Sequence, residues 1–327
     1  MEKEKVVIGF AGDVMIGRTV DPVISREGYL YVWGDVLPVL RSTDVNIINL
    51  ETTLTTNKKK VPKVFNFKAA PDKVKSLTEA RITVANLANN HILDYSEEGM
   101  IETIQTLKKA GILYAGAGMN SDEAAKPVIL EKKKFRIGLL GFTDNEPGWE
   151  AGTDKSGINY INISNETHRQ RALEAVEKLR KQVDIVIVSL HWGPNIREAP
   201  SKPFVAFAHE MIEHGADIIH GHSAHIFQAI EVYKNKLILY DTGDFVDDYV
   251  VHPVLKNNHS FFYKVEISSE GIENLALIPV LISNYQVNLA EKESYEWSMK
   301  RVQQLSSPFG TVISNSGEVK IKQRQSE

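Results

Sequence analysis

Short runs of β-branched and apolar residues alternate along the chain with longer amphipathic segments, the pattern of strands alternating with helices in an α/β fold. Strands are predicted over Val6 to Phe10, Val45 to Leu50, Ile82 to Ala85, Arg136 to Phe142, Asp184 to Leu190 and Ala216 to Ile219. A hairpin from Ile226 to Tyr240 is expected to turn at Lys234-Asn235. The 3.6-residue period predicts helices over Ser96 to Ala110, stopped by Gly111, over Asn165 to Gln182, and over Lys202 to His214, stopped by Gly215.

After about Ser260 the pattern changes. Phe261 to Ile267, a Ser-Glu-Gly turn and Leu275 to Ile282 read as antiparallel strands at the end of a second sheet, and a last helix is expected over Ser294 to Leu305. The tail beyond Ser314 is polar and is expected to fray. No internal repeat or low-complexity linker interrupts the chain. The expectation is one domain, with a core over residues 1–255 and C-terminal strands and helix over 256–327 that complete it. The Gly, Thr, Asp, Lys and Ser cluster at Glu150 to Ser156 is the best place for a divide between halves.

Composition narrows the chemistry. The 327 residues are 43% hydrophobic and 24% charged, which suits a sizeable core. A net charge of −4 offers no general attraction to nucleic acid, so no nucleic-acid partner is expected. Without cysteine, disulfides, thiolate ligands and a cysteine nucleophile are excluded, and any metal must bind through nitrogen and oxygen. Residues 1–5 are too short and mixed for a signal segment, and no apolar stretch approaches the roughly 20 residues of a membrane span. As written, the chain is expected to be cytoplasmic; one trimmed of an N-terminal anchor would read the same and belong at a membrane or outside the cell.

Several apolar strands end alike, with a polar or ionisable group just beyond the hydrophobic run. These ends are Gly12-Asp13, Asn49-Leu50-Glu51, Asn89-Asn90-His91, His191-Trp192-Gly193 and Gly221-His222-Ser223-Ala224-His225. Ligands of open α/β sheets bind beyond the carboxyl ends of strands, so side chains placed there can converge. An isolated histidine is more often a core or surface residue, but the repetition favours a shared centre. His222 and His225, three residues apart after a permissive glycine, can aim at one ion. Asp13 and Glu51 supply the negative charge a divalent cation needs, or else serve as turn carboxylates. Asn90 ligates through its amide oxygen or makes a turn, and His91 acts as an acid or electrostatic stabiliser. Asp94 either orients His91 or caps the helix before Ser96. His191 ends a run that suits a doubly buried strand, and Trp192 reads as packing.

In order and spacing these five motifs resemble the CapA family of poly-γ-glutamate capsule proteins, a branch of the calcineurin-like metallophosphoesterase superfamily. The resemblance runs from about Val6 to Val250. It implies a four-layer αββα sandwich of two mixed sheets with helices outside, and a centre for one or two divalent ions at one edge. By position, Asp13 and His225 would serve one ion, Asn90, His191 and His222 the other, and Glu51 would bridge. His91 would sit where the superfamily keeps a histidine that stabilises the transition state or protonates the leaving group. Two departures stand out. The superfamily's usual Asp-x-His opening has Met15 in its third position here, a poor ligand for such ions. Gly243-Asp244-Phe245 replaces a Gly-Asn-Phe common in relatives; Asp244, Asp241, Asp247 and Asp248 read most simply as an acidic surface turn, with replacement of the lost ligand as the alternative.

Two functions are consistent with this pattern. One is a metal-dependent hydrolase using Mn, Zn or Fe on a phosphoester or γ-glutamyl amide, with His91 and Asp94 as its acid-base pair. The other is a non-catalytic subunit of a polymer synthase that holds a γ-linked glutamate polymer, or another anion, on metal and on Lys58, Lys59, Lys60, Lys63 and Lys68. A solvated loop is the simpler reading of those lysines. No Gly-x-x-x-x-Gly-Lys-Ser/Thr loop occurs, which argues against that one kind of nucleotide site.

Overall fold

The computed structural model of the chain describes residues 4–321, in which most strands sort into two large mixed sheets and the rest into two short two-stranded pairs. The first runs in the order Gln286–Leu289, Gly271–Ser283, His259–Ser268, Val6–Val14, Val45–Leu50, Val84–Asn86, Leu113–Ala115. From Val6–Val14 to Leu113–Ala115 neighbours are parallel; on the other side they are antiparallel. The second runs Ile230–Tyr233, Lys236–Leu239, Ile218–His222, Ile185–His191, Phe135–Thr143, Val128–Lys132, parallel in the middle and antiparallel at both edges.

Period-two alternation decides what each sheet face meets. Val6, Ile8, Phe10, Val45 and Ile47 pack against Ile185, Ile187, Leu237 and Leu239 in a core between the sheets. On the far face of the first sheet, Val14, Ile48 and Leu50 meet Ile24, Leu40, Leu77, Met100 and Leu107 from its helices. On the far face of the second, Val186, Val188 and Leu190 meet Leu173 and Val176 of Glu166–Arg180 and Phe207 and Met211 of Lys202–Glu213. Three cores separated by two sheets make the four-layer sandwich. The last helix, Lys292–Ser306, sends Met299 and Val302 into the core between the sheets rather than joining an outer layer.

Local signals predicted the long central strands and the longest helices. Lys234 and Asn235 both take left-handed conformations, at φ 49° and 60°, as a two-residue hairpin turn demands. The helices Ser96–Lys109 and Lys202–Glu213 end just before Gly111 and Gly215. Long-range pairing was less legible. The C-terminal strands do not end the second sheet: His259–Ser268 lies beside Val6–Val14 and extends the first. The polar tail carries a strand, Glu318–Lys320, which pairs with Gly271–Ser283. The chain passes between sheets after Leu113–Ala115 and before Val128–Lys132, upstream of the 150–156 cluster. No helix among the described residues is long and apolar enough to cross a membrane.

Parallel register aligns the chemistry. Asp13 lies opposite Asn49, which lies opposite Asn86; in the other sheet His191 lies opposite His222. Asp13 is fixed further by pairing with Asp244 and by donation of its N–H to Gly243 O at 2.9 Å. That approach needs glycine at position 12, where a Cβ would fall 1.8 Å from Gly243 O. Gly12→Ala must therefore push the two segments apart, and a stability loss of about 1–3 kcal/mol is expected. Urea denaturation checks it; wild-type stability would contradict the close contact.

Candidate metal centre

Asp13, Glu51, His191 and His222 are at most 1% exposed, and they meet where the two sheets' parallel strands end. Two donor groups close tightly there: Asp13, His191 and His222, and Asp13, His225 and Asp244. Asp13 is common to both. Its Oδ1 lies 3.7 Å from the Nδ1 atoms of His191 and His222, and its Oδ2 3.4 Å from His225 Nδ1. His225 Nδ1 is also 2.8 Å from Asp244 Oδ1.

Hydrogen bonds fix the imidazole tautomers on the first side. His220 Nε2 is 3.1 Å from Ala11 O, and since a carbonyl only accepts, that nitrogen carries the proton. His220 is neutral, because burial lowers its pKa to about 4, so its Nδ1 accepts from Ser189 Oγ at 3.3 Å. The Ser189 oxygen then accepts the Nε2 proton of His222 at 2.9 Å, which leaves a lone pair on His222 Nδ1. His191 donates from Nε2 to Asn90 Oδ1 at 2.9 Å and accepts at Nδ1 from Asn49 Nδ2 at 3.2 Å. Two acceptor nitrogens thus face each other at 2.9 Å beside a carboxylate oxygen, with no proton to share. A cation relieves that repulsion.

The second side also fits an ion. Glu51 Oε1 and Asp244 Oδ2 are buried without a hydrogen-bond partner, a costly state for carboxylate oxygens unless a cation compensates. All donors are nitrogen or oxygen, as a borderline divalent ion accepts. Electrostatics differ between the halves. Burial lowers His191 to about 3 and sends His222 well below its ordinary value, His222 being opposed further by His220. For His225, burial is outweighed by Asp244, Glu51 and Asp13, and its pKa is raised well above the ordinary value. Burial and then the charge of Asp13 raise Glu51 well above the ordinary value.

The predicted site residues lie around one point at the strand ends, Asp13, His191, His222 and His225 within the compact donor groups and Glu51 and Asn90 at their edge. Asp13 rather than Glu51 is shared by the two compact groups, while Glu51 Oε1 stands 3.8 Å from the Nε2 atoms of both His191 and His91. Asn90 reaches the ring nitrogen of His191 that points away from Asp13. Met15 is fully buried in the apolar core, where its sulfur accepts the Gly17 N–H. Asp244 stands in the gap, so the acidic segment is not a surface turn: Asp241, Asp244 and Asp247 are at most 5% exposed. Asp241 caps the Ala224 and Gly243 N–H groups at 2.7 and 2.8 Å. Tyr249, which the sequence did not single out, donates to Glu51 Oε2 at 3.2 Å.

Beside the donor groups, His91 Nδ1 lies 2.6 Å from Asp94 Oδ2, an oxygen that also accepts the Phe67 N–H at 2.6 Å. Asp94 thus orients His91 rather than capping a helix, and burial lowers the imidazole to about 4 despite this partner. His91 lines a cleft of about 1090 Å³ together with Arg18, Lys63, Phe67, Asn90 and His225 among others, and its Nε2 lies 3.8 Å from Glu51 Oε1. Of the five lysines, Lys63 bonds Asn90 O and Asp94, Lys68 bonds Asn57 O, and Lys58, Lys59 and Lys60 are exposed. Trp192 is packing: its Nε1 donates to Tyr240 O at 2.9 Å.

Comparison with known proteins places this geometry. Residues 7–249 match the family described as bacterial capsule synthesis protein PGA_cap. The chain belongs to this family. A "Probable polyglutamine synthesis accessory protein" of Mycobacterium tuberculosis is 32% identical over 352 residues, 93% of this chain and 92% of its own. The "Capsule biosynthesis protein CapA" of Bacillus anthracis is 35% identical over 251 residues, 76% of this chain and 61% of its own. Among solved structures, a 5'-nucleotidase of Candida albicans superposes with a TM-score of 0.46 at 11% identity, over 94% of this chain and 58% of its own. All five motif ends fall inside the matched PGA_cap segment.

Two outcomes test the centre. Ser189→Ala removes the group that holds the His222 tautomer and is expected to cost about 10- to 100-fold in metal affinity, measured by chelator competition. Unchanged affinity would show that the hydrogen-bond relay has no such role. Because the raised pKa values of His225 and Glu51 favour protonated forms that an ion must displace, binding should release protons and tighten as pH rises, weakening as it falls. Calorimetry in buffers of different ionisation enthalpy measures the release; an enthalpy independent of buffer refutes it.

Proposed function

We propose that this PGA_cap protein is a metal-dependent hydrolase of polyglutamate metabolism, acting on a γ-glutamyl amide or a phosphoester. The observation that carries the reading is the pair of lone-pair nitrogens, His191 Nδ1 and His222 Nδ1, held 2.9 Å apart beside Asp13. Asp13, His191 and His222 would hold one ion, and Asp13, His225 and Asp244 a second, with Glu51 as a further carboxylate donor. Mn, Zn and Fe suit this donor set, and such an ion supplies a Lewis acid that acidifies water and polarises the scissile group.

The chain's own residues provide the rest. Asp94 accepts from His91 Nδ1, so the neutral ring carries its lone pair on Nε2, 3.8 Å from Glu51 Oε1, where it can act as a proton acceptor. Protonated there, the same atom can return a proton to a leaving oxygen or nitrogen. Lys63 ties the Asp94 carboxylate and the Asn90 carbonyl together and so holds the turn that carries His91. The word "accessory" in the mycobacterial relative's name favours a second reading, in which the centre binds polymer for a synthase subunit without turning it over.

Elemental analysis of the purified protein is expected to find two divalent ions per chain, falling towards one in Asp244→Asn. A γ-linked glutamate oligomer or bis(p-nitrophenyl) phosphate should be hydrolysed, with a loss of about 100-fold or more in His191→Ala. Turnover that survives both His191→Ala and chelation would sink the hydrolase reading. Bound metal without turnover on either substrate would favour the binding role.

A further inference from the structure

Arg18 was not among the residues singled out by the motifs, yet it is held in the wall of the cleft by an elaborate local structure. It follows the strand Val6–Val14 through Gly17, where a Cβ would lie 2.9 Å from both the N and the O of Lys68. Arg18 N donates to Lys68 O at 3.2 Å, and the residue adopts a left-handed φ of 49°, which a side chain rarely takes without compensation. Its guanidinium carbon stands 5.5 Å from the Phe65 ring centre and 5.4 Å from that of Phe67. Phe67 in turn stacks on His91, with centroids 3.6 Å apart and planes 15° from parallel. One stacked assembly therefore links Arg18 to His91.

The charge is only partly answered by the protein. Arg18 Nε is 3.4 Å from Asp248 Oδ2, an oxygen that also accepts the Thr19 N–H at 3.1 Å. The two terminal nitrogens of Arg18 have no hydrogen-bond partner among the described residues, and its side chain is 34% exposed, bordering the same cleft as His91 and His225. A planar guanidinium positioned by aromatic faces and one carboxylate, with its outer edge open, suits two-point recognition of a carboxylate or phosphate. A lysine at this position would offer charge without the fork.

We propose that Arg18 is an anion subsite of the cleft, binding a carboxylate or phosphate group of the ligand while His91 faces the bond to be broken. The proposal rests on the hydrolytic reading for the second half of that statement, and on the cleft alone for the first. The test is isothermal titration of metal-loaded and metal-stripped protein with two probes, a γ-linked glutamate oligomer and inorganic phosphate. Arg18→Gln is expected to weaken at least one probe by about tenfold or more at unchanged metal content. Arg18→Lys should recover only part of that loss, and Lys300→Gln, at an exposed position outside the cleft, should change nothing. Loss confined to the oligomer assigns a carboxylate, and loss confined to phosphate assigns a phosphate.

Phe65→Ala, at an exposed ring, gives a second approach should Arg18→Gln fold poorly; it is expected to weaken the same probe by a few fold. Wild-type binding by Arg18→Gln, equal losses in Arg18→Gln and Lys300→Gln, or no binding of either probe to the wild type would each overturn the subsite. Turnover that depends on His191 but not on Arg18 would overturn it while leaving the hydrolase intact. Binding that depends on Arg18 without turnover would support the subsite and remove the hydrolase.

Discussion

The carboxylate of Asp13 is 1% exposed at the seam of two sheets, and both of its oxygens are committed. Asn49 donates to Oδ1 at 2.7 Å and the Ser223 N–H approaches Oδ2 at 3.3 Å, while three imidazoles surround it. A buried charge of this kind is tolerated only with such compensation. Burial alone would raise its pKa, but the hydrogen bond from His225 and the charges of His191, His222 and His225 hold it well below the carboxylate range. The position of every other donor follows from this one group. Asn49 reaches it because the parallel register sets residues 13 and 49 side by side, and His191 and His222 reach it because the second sheet packs its own strand ends against the first.

The two halves built on Asp13 are electrostatically unlike. Burial forces His191 and His222 neutral; His191 Nδ1 accepts from Asn49 while His222 Nε2 donates to Ser189, so both Nδ1 atoms stay unprotonated beside Asp13. His225 is instead surrounded by Asp244, Glu51 and Asp13, whose charges favour its protonated form. The first half is thus prepared as neutral ligands. On the second, an ion would have to displace a proton, so its occupancy would be the one that responds to pH.

Much of this was legible in sequence because it depends on local rules. Polar groups that follow apolar runs mark strand ends, and Asp13, Glu51, His191, His222 and His225 all lie where that rule puts them. Met15 in the opening motif pointed to a missing donor, and the carboxylate that stands beside Asp13 and His225 is Asp244, more than two hundred residues away, brought there by a parallel pairing of Asp13 with Asp244 that no local pattern encodes. The same limit hid the membership of His259–Ser268 in the first sheet. Ser189 and His220 were invisible for another reason: inside a doubly buried strand they look like ordinary interior positions, and their value lies in hydrogen bonds across the seam.

Arg18 shows how the seam and the cleft are connected. Met15, whose side chain turns into the core, frees the chain after Asp13 to close through Gly17 onto Lys68, and that closure presents Arg18 beside Phe67. Met15 fills the core beside Ile16 and Leu50, where a polar imidazole would lose that packing. The opening motif is therefore compatible with a turn that supplies a cation to the cleft. Asp244 lies 2.8 Å from His225 beside Asp13, while Asp248, four residues later, steadies the guanidinium. One acidic segment thus serves both the centre and its mouth, which couples the build of the metal site to the charge that a ligand meets on entry.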